Sequence, residues 1–150
     1  MSGRRQWTFV DTLNLGFTLR GYEEDDDVVI MVIHKSDKSS NIVRFDQGSH
    51  TFYHSHINGR RYEEFPRAVS KEQKINISIN EMKKYISSGL VKHEDVVYIP
   101  ADNISDILEK YKQDMLAKII DKGTIQGCAL IRATAAIITF DATSPNVEVK

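Results

Sequence analysis

"NIVRFDQGSHTFYHSHING", residues 41–59, decides how the first half of this chain is read. It places three of the five histidines within seven positions, just after an arginine and an aspartate. Side chains alternate between the two faces of a β-strand, so residue parity assigns each one a side. Val43 and Phe45 are odd and apolar, and Arg44 and Asp46 are even. In the second arm Thr51, Tyr53 and Ile57 are odd, while His50, Phe52, His54 and His56 are even. A hairpin turning at Gln47-Gly48-Ser49 sets Asp46 against His50, Arg44 against Phe52 and Ile42 against His54. The even face then gathers Arg44, Asp46, His50, His54 and His56. A slip of one residue would scatter them, so the expectation depends on the turn.

The flanking segments extend this strand pattern. RQWTFVDTLNLGFTLRGY, residues 5–22, alternates as one long or two short half-buried strands. The carboxylate run Glu23 to Asp27 has no Gly-spaced calcium loop around it and reads as a solvated turn. DVVIMVIHK, residues 27–35, is a β-branched run suited to a strand buried on both faces. SDKSS marks a turn before residues 41–46.

Beyond residue 60 the pattern becomes more helical. KINISI, residues 74–79, alternates like a strand and leads into Ser78-Ile79-Asn80-Glu81, which has capping-box spacing. Met82, Tyr85 and Ile86 form a short helical stripe that Gly89 would stop. VVYIP is a short strand. Ile104, Ile107, Leu108, Tyr111, Met115, Ile119 and Ile120 mark the clearest helix, over 102–121, capped by Asp102 or Asn103 and ended by Gly123. CALIRATAAIITFD, residues 128–141, reads as a strand. Strands first and helices second predict an α+β fold, an antiparallel sheet packed by C-terminal helices. With 150 residues and 41% hydrophobic content, a single domain is expected, strand-rich over 1–60 and helix-containing over 61–150.

Composition narrows the function. A net charge of -1 argues against a surface that binds nucleic acid all over, though not against a local basic patch. The single cysteine, Cys128, excludes an intrachain disulfide framework and a cysteine zinc site, and it reads as a core residue. MSGRRQWTFVD has two arginines without the apolar stretch of a secretory signal, and no apolar run reaches membrane-spanning length. A cytoplasmic protein is expected. His34 and His93 lack chemical neighbours in sequence and are taken as structural.

Three kinds of chemistry compete for the even face. Cleavage of RNA without a cofactor needs a base for the 2′-hydroxyl, an acid for the leaving oxygen and a cation for the phosphate. His54 and His56 supply the proton-transfer pair, Arg44 the cation, and Asp46 a carboxylate to orient Arg44 or His50. His50, Arg60, Arg61, Tyr62 and Arg67 form an expected substrate-contacting rim. The alternative is a divalent metal at His54 and His56, with Asp46 or Glu63 as a further ligand. Gly48-x5-His54-x-His56 is similar to the opening of the cupin metal motif, but Glu63 stands seven positions after His56, beyond that motif's spacing. The third is a plain interaction or inhibitor protein using the hairpin as scaffold.

Val43-Arg44-Phe45-Asp46 followed by His54-Ser55-His56 resembles the TumE-type proteins of bacterial toxin–antitoxin loci, over residues 28–66. That resemblance implies a metal-independent endoribonuclease toxin, with Arg44, Asp46, His54 and His56 as the matching positions. It also implies a protein partner, the antitoxin, for which the 102–121 helix offers a surface. The long C-terminal half is a departure from that family.

Overall fold

The structure is a computed structural model and describes residues 5–127. Its first compact unit, residues 1–115, is built on one six-stranded antiparallel sheet in the order β1-β2-β3-β4-β5-β6. The strands are β1 (Arg5–Thr12), β2 (Phe17–Glu24), β3 (Asp27–His34), β4 (Asp37–Asp46), β5 (Tyr53–Ile57) and β6 (Arg60–Phe65). Each strand pairs with its sequence neighbour, so the connections are short turns, as adjacent antiparallel strands allow. Helix α1 (Lys71–Ser87) follows, then a small ribbon of β7 (Lys92–His93) and β8 (Val96–Val97), then helix α2 (Ile104–Gly127). The α+β architecture expected from the sequence is the one observed. The second unit, residues 116–150, is described as far as residue 127, where it is helical.

The helices cover the face that carries Phe17, Leu19, Ile30, Val32, Val43, Phe45 and Tyr53, all fully buried. From α1, Ile75, Ile79 and Met82 are fully buried and Tyr85 stacks on Phe45 with centroids 5.6 Å apart. From α2, Leu108, Tyr111 and Met115 are buried. Gly21 lets α2 approach: a Cβ there would meet the Tyr111 hydroxyl at 2.9 Å and Met115 Sδ at 3.0 Å. The β3 run is buried on both sides, as its composition predicts, with Val28, Val29, Ile30, Val32 and Ile33 all in the core.

Several expectations need correction. KINISI is helix, part of α1, because Ile75, Ser78, Ile79, Met82, Tyr85 and Ile86 form a buried stripe at helical spacing. The capping box lies earlier than Ser78: Ser70 accepts from the Gln73 N–H, and the Gln73 side chain accepts from the Ser70 N–H. VVYIP contributes only Val96–Val97 as strand. α2 continues through Gly123 to Gly127. The expected strand at 128–141, and Cys128 with it, lie outside the described residues.

The carboxylate run is also less solvated than expected. Glu23 is buried and paired with Lys71, while Asp25 takes a positive φ of 55° in the β2–β3 turn. Asp27 Oδ2 accepts from the backbone N–H groups of Gln47 (2.9 Å) and Gly48 (3.0 Å), which anchors the loop after β4. His34 and His93 meet in the structure: their rings stack at 4.4 Å, and the Ser36 hydroxyl lies 2.8 Å from His34 Nδ1 and 3.1 Å from His93 Nε2. This contact joins β7 to the β3–β4 turn.

Candidate functional site on the open sheet face

The β4–β5 pairing places Arg44 opposite His56 and Asp46 opposite His54, with Phe45 opposite Ser55 and Val43 opposite Ile57. The expected pairing of Asp46 with His50 is therefore wrong by four residues. The loop runs from Gln47 to Phe52, because Asp27 holds its start and the strand resumes only at Tyr53. Four is an even number, so the residues that are in the paired strands keep their predicted sides. Arg44, Asp46, His54 and His56 share one face.

The turn after β5 completes the site. Asn58 and Gly59 both have positive φ, 53° and 82°, in a two-residue hairpin turn. It sets Arg61 opposite His56, and a register shift between Ser55 and His56 then brings Glu64, not Glu63, opposite His54. The Asn-Gly pair is a strong hairpin signal that identifies Arg61 from sequence once it is noticed. His50, though in the loop, also reaches the face, with its ring edge-on to His54 at 4.8 Å. His54 lies the same 4.8 Å from His56, so the three imidazoles form a row with His54 in the middle.

An arginine holds each outer imidazole. Arg44 Nη2 is 3.0 Å from His56 Nδ1, and Arg61 Nη2 is 3.0 Å from His50 Nδ1. A guanidinium can only donate, so both Nδ1 atoms accept and the ring proton of each neutral imidazole sits on Nε2. Burial, and then the Arg44 charge, lower the His56 pKa below its ordinary value. The central imidazole is arranged differently. His54 Nδ1–H donates to the Phe52 carbonyl at 2.9 Å, and Nε2 faces Asp46 Oδ1 at 3.4 Å. His54 is 1% exposed, whereas His50 is exposed and His56 is half-buried. Asp46 Oδ2 is 3.4 Å from Arg44 Nε, so one carboxylate faces both the guanidinium and the buried ring.

Asp46, His54 and His56 also offer three donor atoms within 4.8 Å of one another, the set a divalent metal would use. A zinc ion with ligands at about 2.0–2.2 Å cannot bridge donors more than about 4.4 Å apart. The set would have to close, and a metal taking His56 through Nδ1 would displace Arg44. Its guanidinium is bonded to His56 Nδ1 and paired with Asp46, a fixed cation among the donors. Glu63, the other proposed ligand, points to the opposite face and accepts from the Tyr85 hydroxyl at 3.1 Å.

The expected substrate rim divides. Arg61 joins the histidines. Arg60 pairs with Ile57 and so belongs to the other side of the sheet. Tyr62 packs edge-on against Tyr85 at 5.3 Å, also on the helix side. Arg67 is exposed beyond the end of β6, in the connection to α1. No helix among the described residues is long and apolar enough to cross a membrane. No family model, curated protein sequence or solved structure matches the chain.

Proposed function

We propose that the open face of the β4–β5–β6 hairpins binds RNA phosphate and cleaves the adjoining phosphodiester without a metal ion. The observation that carries this reading is the pair of accessible imidazoles, His50 and His56, each held at Nδ1 by its own arginine. A phosphate placed among them competes for both guanidiniums, since arginine pairs with phosphate more strongly than with a neutral ring. Once Arg44 turns to the phosphate, His56 Nδ1 has a free lone pair. His56 then takes the proton of the 2′-hydroxyl, and the 2′-oxygen attacks phosphorus. His50, protonated after Arg61 turns away, gives its proton to the departing 5′-oxygen. The products are a 2′,3′-cyclic phosphate and a 5′-hydroxyl. His54 is a positioning residue here because it is buried, and Asp46 holds Arg44 and His54 in register.

This mechanism keeps the TumE-type expectation of a cytoplasmic endoribonuclease toxin neutralised by a protein partner, with His50 in place of His54 in the proton-transfer pair. The test is single-turnover incubation of single-stranded RNA with excess protein in EDTA. Wild type should yield cyclic-phosphate ends, and His56→Ala should lose about 10²–10⁴ in rate. Intact RNA after prolonged incubation sinks the nuclease reading. Stoichiometric zinc in the purified protein, lost in Asp46→Ala, would replace it with the metal-binding alternative.

A further inference from the structure

The strand registers align one residue from each strand into a continuous row across the whole sheet. Val10 pairs with Arg20, Arg20 with Met31, Met31 with Arg44, Arg44 with His56, and His56 with Arg61. All six retain solvent exposure, from half-exposed Val10 through Arg44, with 30% of its side chain exposed, to Arg61 with 37%. Beside the row on the same face Val29, Ile33, Ile42 and His54 are buried, while Thr8, Thr12 and Glu64 are exposed. The row is one solvent-accessible strip of this face. Arginines occupy every second strand, β2, β4 and β6, about 10 Å apart at the usual strand spacing. Arg20 Nε is buried without a hydrogen-bond partner among the described residues.

The charge beside this strip is asymmetric. The neighbouring row carries Asp46, His54 and Glu64 on β4, β5 and β6. The row on its other side carries Thr18, Ile33 and Asn41, which are uncharged. One polyanionic backbone fits along the arginines, and a second beside it would meet either carboxylates or no cation. We propose that an extended single strand of RNA lies across the six strands along this row, its phosphates on Arg20, Arg44 and Arg61. Met31, between two of those arginines, supplies an apolar contact for ribose or base. The proposal rests on the hairpin reading and enlarges it: the scissile phosphate sits at Arg44 and His56, and Arg20 holds nucleotides on one side of it.

The test is fluorescence anisotropy with a short labelled single-stranded RNA methylated at every 2′-oxygen, so that binding is read without cleavage. Three phosphate contacts predict a slope of log K against log salt of about -2, and Arg20→Gln should make it shallower by about 0.7. Arg20→Lys should restore most of it, which separates lost charge from misfolding, and Lys110→Gln on α2 should leave it at the wild-type value. Equal affinity for duplex RNA, or an unchanged slope in Arg20→Gln, overturns the row. RNA cleavage by wild type without salt-dependent binding of the methylated strand overturns it too, while the hairpin chemistry stands. Absence of both cleavage and binding removes both.

Discussion

Alternate residues of β4 and β5 build two opposite surfaces, one packed beneath α1 and one carrying the histidines and arginines. On the helix side Phe45, Tyr53 and Ser55 are fully buried, and the Tyr53 hydroxyl donates to the Val28 carbonyl at 2.8 Å. Phe45 stacks on Tyr85, and the Ser55 hydroxyl is 2.8 Å from the Tyr85 hydroxyl. Tyr85 donates to Glu63, so Ser55 must donate to Tyr85. On the other side Arg44, Asp46 and the histidines pair among themselves, and the buried atoms Arg44 Nε and Asp46 Oδ1 have ion-pair contacts at 3.4 Å but no hydrogen-bond partner among the described residues. Such unmet groups reduce stability and leave capacity for a ligand. The first surface is closed and the second is poised.

The sharpest way to break this contrast is to truncate adjacent residues on opposite sides. Phe45→Ala should cost about 3–5 kcal/mol by leaving a cavity beneath Tyr85. Arg44→Ala should cost no more than about 1 kcal/mol, as expected for a partly exposed ion pair. Urea denaturation of both variants checks the difference, and equal losses would show that the two faces are not divided as described.

A smaller effect is expected where the β2–β3 turn supports the open face. Asp27→Ala removes the acceptor for the Gln47 and Gly48 N–H groups and should cost about 2–3 kcal/mol. Amide exchange at Gly48 should accelerate, and the Arg61–His50 contact should loosen with the loop. Unchanged protection at Gly48 would mean that the loop is held from elsewhere.

Ser55→Ala, on the closed side, should cost about 1 kcal/mol, because Tyr85 keeps its bond to Glu63. A change in RNA cleavage larger than the change in stability would link the two faces and blur the contrast.

The smallest effect is that of pH. The His56 pKa is lowered in the folded protein, so folding favours its neutral form. That contribution is complete above the unfolded value near 6.5 and is lost as pH falls toward the folded value. Tm should therefore drop between pH 7 and pH 5 more in wild type than in His56→Gln, by about 2 °C or less. The reverse ordering would mean that His56 gains a proton on folding.

Much of this molecule was legible in residues taken one segment at a time. The buried run of β3, the stripe of α2 and the shared face of Arg44, Asp46, His54 and His56 follow from local periodicity. KINISI misled because Ile75, Ile77 and Ile79 also alternate, and only continuation of the stripe to Tyr85 and Ile86 reveals the helix. Arg20 and Met31 gave no local signal at all, since their place beside Arg44 depends on two strand registers. The sequence by itself determined which side of its strand each histidine takes, because alternation is a property of the extended backbone. Tertiary structure alone decided the four-residue shift of register, the burial of His54 between an exposed and a half-buried imidazole and the line of arginines across the sheet. Those depend on loop length and on contacts such as Asp27 with Gln47 and Gly48, between residues far apart in the chain.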